Sequence, residues 1–153
     1  MLLALPFAAG DVEKAKLFDD SLLVAFPKDD PRDPPATILP ELIDESRLLL
    51  LVDGHCLKDH ALAACNRPEL RASATMLGTS LHTLIQMVDN GLGLTLIPQM
   101  AVDAGLLNGT AVQARPLNAD HASREIALIW RTNSPRREEF EMLATAMRAL
   151  RAA

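Results

Sequence analysis

Val52-Asp53-Gly54-His55-Cys56-Leu57-Lys58-Asp59-His60-Ala61-Leu62-Ala63-Ala64-Cys65 holds both cysteines of the 153-residue chain. It follows Leu48-Leu49-Leu50-Leu51, and this aliphatic run predicts a buried strand over residues 48–52. Asp53-Gly54 breaks the run, and a helical segment is expected from about Cys56. The first thiol therefore sits just past a strand end, at a helix start. Unpaired backbone N–H groups and the helix dipole favour the thiolate there. Lys58 adds positive charge, while Asp53 and Asp59 oppose it. Cys65 lies at the far end of the same segment, beside Ala63 and Ala64. Were residues 56–65 one straight helix, the two Cα atoms would lie roughly 13 Å apart at about 1.5 Å per residue. A disulfide needs about 4.4–6.8 Å, so bridging requires the segment to unwind. The residues alone leave a second reading open: Cys65 as a small buried apolar residue and Cys56 as an incidental thiol.

Upstream, residues 2–5 read as a short buried strand. Residues 15–18 and 21–26 read as extended segments around Asp19-Asp20, the second apolar enough to cross between lobes. Residues 27–40 hold five of the ten prolines and read as an irregular surface loop, followed by a helical turn at 41–45. Downstream, a strand is expected near 75–77. Thr79 or Ser80 caps a helix running to Asn90, with Leu81, Leu84, Ile85 and Val88 as its apolar stripe and Gly91 at its end. Residues 94–97 form a strand stopped by Pro98, and 100–107 a short helix. Residues 126–130 form a strand with alternating outward residues. Ser134 caps a last helix, with Pro135 in its first turn and Phe140, Leu143, Ala144, Met147 and Leu150 as its buried face. Strands alternating with helices make the class α/β.

Apolar residues are 49% of the chain, enough for a packed core. The formal net charge of -5 argues against a DNA-binding surface on these residues, since such surfaces are basic. No apolar run approaches the roughly 20 residues of a membrane helix. The opening ten residues lack a basic stretch and read as strand and turn, so a reducing, cytoplasmic setting is expected. His55, Cys56, His60 and Cys65 are zinc-ligand types, but their spacing matches no common structural zinc motif, and no metal is expected. Gly91-Leu92-Gly93 lacks a third spaced glycine and follows a helix, so no dinucleotide loop and no cofactor are expected. His82 reads as solvated and His121 as a loop residue.

The run Gly54-His55-Cys56-Leu57-Lys58-Asp59, with a second Cys nine residues on, resembles the sensor segment of the OxyR peroxide sensors. These are hydrogen-peroxide-responsive LysR-type transcription regulators. Thr79-Ser80-Leu81 with Thr83-Leu84, and Gly91, Gly93 and Leu94 through Pro98, fit LysR-type effector domains in general. So does the stretch from Arg124 to Pro135. The likeness covers nearly the whole chain. It implies a two-lobed, periplasmic-binding-protein-like α/β domain with mixed sheets. Residues 1–20 plus 121–153 would form a partial first lobe, and 21–120 a second lobe carrying the sensor, with crossings near Asp19-Asp20 and residues 121–124. DNA would be bound only through a winged helix-turn-helix that precedes Met1 in the family. The first lobe is expected to be incomplete and to leave apolar surface exposed. The resemblance further implies that Cys56 is the peroxidatic thiol and Cys65 the resolving one, with His55, Asp59 and Arg124 supporting. The expected partners are hydrogen peroxide, further copies of the chain as dimer or tetramer, and RNA polymerase. The alternatives are a small organic co-inducer held near Thr79 and Ser80 in the inter-lobe cleft, and a peroxide-reducing enzyme. The absence of a thioredoxin-like Cys-x-x-Cys speaks against the enzyme.

Overall fold

The computed structural model describes residues 1–6, 10–52, 56–64, 77–120 and 122–152, with the backbone alone for Cys56, Lys58, Leu77, Arg151 and Ala152. The chain divides into two compact units, Met1–Asp20 with Arg124–Ala153, and Ser21–Ser123. Its elements in order are β1 (Leu2–Leu5), β2 (Val12–Pro27), β3 (Leu50–Leu51), α1 (Cys56–Ala64), β4 (Leu77–Gly78), α2 (Leu81–Asp89), β5 (Thr95–Pro98), α3 (Gln99–Asp103), β6 (Val112–Pro116), β7 (Ser123–Arg131) and α4 (Arg137–Ala152).

In the larger unit the second half of β2 is the central strand. Leu22 to Ala25 pair antiparallel with Pro98 to Thr95 of β5, and Leu23 to Pro27 with Pro116 to Val112 of β6. Flanked on both edges, residues 22–26 are all buried, as an unbroken apolar run requires. β3 and β4 form a separate parallel pair, Leu50 opposite Leu77 and Leu51 opposite Gly78. Leu94 joins this pair to β5, because its N–H donates to Arg47 O at 2.9 Å and its carbonyl accepts from Leu49 N–H at 2.8 Å. The approach demands glycine at 93, where a Cβ would lie 2.2 Å from Arg47 O. α2 follows its sequence signals closely. Ser80 Oγ accepts from Thr83 N–H at 3.2 Å, and Leu84, Ile85 and Val88 are buried. Gly91 takes the left-handed φ of 75° just past the helix end.

In the smaller unit β1 pairs antiparallel with β7, Leu2 opposite Leu128 through Leu5 opposite Glu125. α4 packs through Ala144 and Phe140 against Trp130, whose ring stacks on Phe140 with centroids 5.6 Å apart.

Several expectations are corrected. The two segments expected around Asp19-Asp20 are one sixteen-residue strand, β2. β1 buries only Ala4, and β7 buries Ile126 through Trp130 consecutively instead of alternating. β3 is shorter than the expected 48–52, with Leu48 contributing a single bridge to Leu94. The turn expected at 41–45 splits into two 3-10 turns, Pro40–Leu42 and Glu45–Arg47. α3 stops at Asp103, and Gly105 then takes a φ of 85° that ends regular winding. β6 was not foreseen. On α4, of the five residues of the expected buried face only Ala144 is buried, Phe140 and Met147 are partly covered, and Leu143 at 47% and Leu150 at 80% are exposed. Residues 75 and 76 of the expected strand near β4, and His121, lie outside the described residues.

Candidate functional site

α1 opens at Cys56, so the first thiol's backbone forms the first turn of a nine-residue helix. Leu57, Ala61 and Ala64 recur at helical spacing, and with Leu62 they are buried in the larger unit's core. His60 is buried among them, while Asp59 and Ala63 are exposed. The helix is thus fastened by one face. His55 and Cys65 lie outside the described residues, as do Asp53 and Gly54.

The ends of the cysteine-bearing stretch meet. Val52 N–H donates to Gly78 O at 3.0 Å, one residue beyond the β3–β4 pair. The chain therefore leaves for α1 and returns at β4 through a single backbone clamp. Thr95 Oγ1 donates to Leu49 O at 2.8 Å and ties the clamp to β5.

Arg124, at the start of β7, is largely buried. Its Nε and Nη2 donate to Asp20 Oδ2 at 3.0 and 2.9 Å, within the smaller unit. The Asp20 side chain is 0% and that of Arg124 10% exposed. Two donors from one guanidinium give this buried carboxylate charge-assisted bonds in place of water. Asp20 is the buried partner of Arg124 that sequence reasoning missed. Its only signal was an acidic residue inside an otherwise strand-forming stretch.

Thr79 and Ser80 are exposed at the start of α2, and Ser80 Oγ is engaged in capping that helix. His82 is exposed. Among the described residues no cluster of His, Cys, Asp and Glu could hold a metal ion, and no helix is long and apolar enough to cross a membrane.

The model of the LysR substrate binding domain matches residues 1–152. The HTH-type transcriptional regulator EstR of Acinetobacter baylyi is 36% identical over 154 residues, covering 99% of this chain and 50% of that protein. The DNA-binding transcriptional dual regulator OxyR of Escherichia coli is 37% identical over 134 residues, covering 87% of this chain and 43% of that protein. The chain thus spans about half the length of the curated relatives it matches. Among solved structures, the reduced regulatory domain of OxyR2 from Vibrio vulnificus aligns with a TM-score of 0.83 at 34% identity, covering 97% of this chain and 70% of that one. The reduced OxyR regulatory domain from Pseudomonas aeruginosa gives 0.78 at 36% identity, covering 97% and 71%. The mixed α/β architecture is that of the OxyR and LysR regulatory domains, of periplasmic-binding-protein type. With its fold and nearly its full length matched, the chain belongs to the LysR substrate-binding domain family, as an effector domain whose relatives include the OxyR regulatory domains.

Proposed function

We propose that this chain is the sensing part of a cytoplasmic, peroxide-responsive transcription regulator, and that Cys56 and Cys65 are its switch. The observation that carries the reading is Cys56 at the first position of α1, inside the OxyR-like run, with Cys65 directly after the helix's last residue. The Cys56 thiolate attacks one peroxide oxygen, the O–O bond breaks, and hydroxide leaves to take up a proton as water. Cys56 is then a sulfenic acid. The Cys65 thiol attacks its sulfur, releases a second water and closes a disulfide. His55 and Asp59, neighbours of Cys56 in the sequence, would position the peroxide and manage its charge; for Arg124 to share that role, its guanidinium would have to leave Asp20.

The two units would be the two lobes. DNA and RNA polymerase would be engaged by the whole regulator. Copies of the chain would pair, and the exposed apolar residues of the smaller unit, Leu2, Met142, Leu143 and Leu150, support that pairing. The chain would act as a stoichiometric switch, not a turnover enzyme. A second reading is favoured by the likeness to EstR, whose name carries no mention of peroxide. In it the domain holds a small organic co-inducer between the lobes, near Thr79 and Ser80, and the cysteines are not sensory.

One experiment separates the readings. Free thiols are titrated and the products identified by mass spectrometry after one equivalent of peroxide, in the natural chain, Cys56→Ser and Cys65→Ser. The natural chain is expected to lose both thiols to a disulfide. Cys65→Ser should stop at sulfenic or sulfinic acid, and Cys56→Ser should be inert. Two persistent free thiols in the natural chain would overturn the peroxide reading.

A further inference from the structure

Within Ser21–Ser123 a cavity of about 140 Å³ opens beside β2. Val24, Phe26, Ile38, Leu42, Ile43 and Leu94 wall it with carbon. All but Leu42 are buried members of the unit's core, and Leu42, 54% exposed, marks the mouth. None of the described residues of α1 lines it.

The polar lip carries Asp30, Arg32 and Arg47, and each arginine is paired, Arg47 with Asp30 and Arg32 with Asp44 outside the lining. Asp30 accepts from Arg47 Nη2 at 2.8 Å and from Arg32 N–H at 3.1 Å, and the Arg32 guanidinium pairs with Asp44. Burial pushes the Asp30 carboxyl up, but the hydrogen bonds from Arg47 and Arg32 and their charges outweigh it and hold the group below its ordinary value. The Ser46 hydroxyl and Arg32 hold the Asp44 carboxyl down at about 2. Both acids are therefore ionised near neutrality, and each arginine has an opposite charge beside it. An anionic ligand at the lip would share a guanidinium with a carboxylate already bonded to it and would be repelled by that carboxylate, so it gains little from the cation. A neutral ligand disturbs neither pair. Protein interiors are close-packed, so an aliphatic hollow of this size forfeits contacts that a compact apolar molecule restores.

We propose that this cavity is a binding site for a small neutral molecule, a monocyclic aromatic or compact aliphatic of roughly six to eight non-hydrogen atoms with at most a hydroxyl at its polar end. The proposal does not rest on the peroxide reading, because its residues and its test are separate from the cysteines.

The test uses the intact chain, with benzyl alcohol and benzoate as probes of similar size and opposite charge state. Binding is read from the methyl NMR signals of Val24, Ile38, Ile43 and Leu94. Benzyl alcohol should shift these signals saturably, and benzoate should bind at least about tenfold more weakly. Ile43→Phe, which fills the hollow, and Leu42→Trp, which covers its mouth, should each weaken benzyl alcohol about tenfold or more. If Ile43→Phe does not fold, the exposed Leu42→Trp decides alone. Absence of saturable shifts in the natural chain, unchanged affinity in the folded variants, or benzoate binding as tightly as benzyl alcohol would overturn the proposal.

Discussion

The two units are held together by different means. In Ser21–Ser123 the core is one continuous apolar cluster, reaching from Leu22–Phe26 through Leu48–Leu51 and α1 to α2 and β5. In the smaller unit the corresponding cluster is Leu128, Trp130 and Ala144, with Ala15, Leu17 and Phe140 packed on it. Polar ties take over there. Trp130 Nε1–H donates to Glu13 at 3.1 Å, Arg148 Nε–H to Lys16 O at 2.7 Å, and Arg124 twice to Asp20. Meanwhile Met142, Leu143 and Leu150 on α4 remain exposed. The contrast teaches that apolar residues stabilise only what covers them. Among the described residues each unit leaves three leucines exposed, Leu39, Leu42 and Leu92 in the larger and Leu2, Leu143 and Leu150 in the smaller, but only the larger builds a continuous core from its other leucines.

The most damaging way to test this contrast is at the polar end. Asp20→Ala leaves Arg124 without its buried carboxylate and is expected to cost about 4 kcal/mol by urea denaturation. A loss near that of a surface pair, below about 1 kcal/mol, would show that the ion pair does not hold the smaller unit. Next comes Leu49→Ala in the larger unit, which empties a site only 2% exposed and is expected to cost about 3 kcal/mol in the same measurement. The smallest effect sharpens the comparison. Leu143→Ala on α4 should change stability by no more than about 0.5 kcal/mol. A loss above about 1.5 kcal/mol that grows with protein concentration would mean that another copy covers α4 in solution.

What could be read in the sequence follows the same division. α2 was legible end to end, because its cap, stripe and terminal glycine are local signals that the larger unit's packing agrees with. β2 was cut in two at Asp19-Asp20, since a carboxylate inside a strand argues against burial unless a partner is known. That partner, Arg124, lies 104 residues away. β6, Val112–Pro116, carries too short and polar a pattern to announce itself, and it exists because β2 offers it an edge. α4 shows the converse limit: 3.6-residue periodicity names the apolar face of a helix but not whether anything packs on it. At the candidate site, the start of α1 at Cys56 was legible from the strand, the Asp-Gly break and the polar run after it. The environment of Arg124 was not, because burial depends on contacts distant in sequence.

α1 is fastened to the core by Leu57, 8% exposed, and Leu62, 2% exposed, and this has an electrochemical meaning. On the proposed switch, closing a disulfide unwinds α1 and surrenders that burial, which only the dithiol form enjoys. Burying one leucine is worth about 1.5–3 kcal/mol. For a two-electron couple about 1.4 kcal/mol corresponds to 30 mV. On that proposal, two leucines packed beneath one helix would raise the disulfide's reduction potential by something on the order of 60–130 mV, making the oxidised form harder to reach. The threshold at which such a sensor responds would then be written in the aliphatic side chains under α1 as much as in the sulfur atoms themselves.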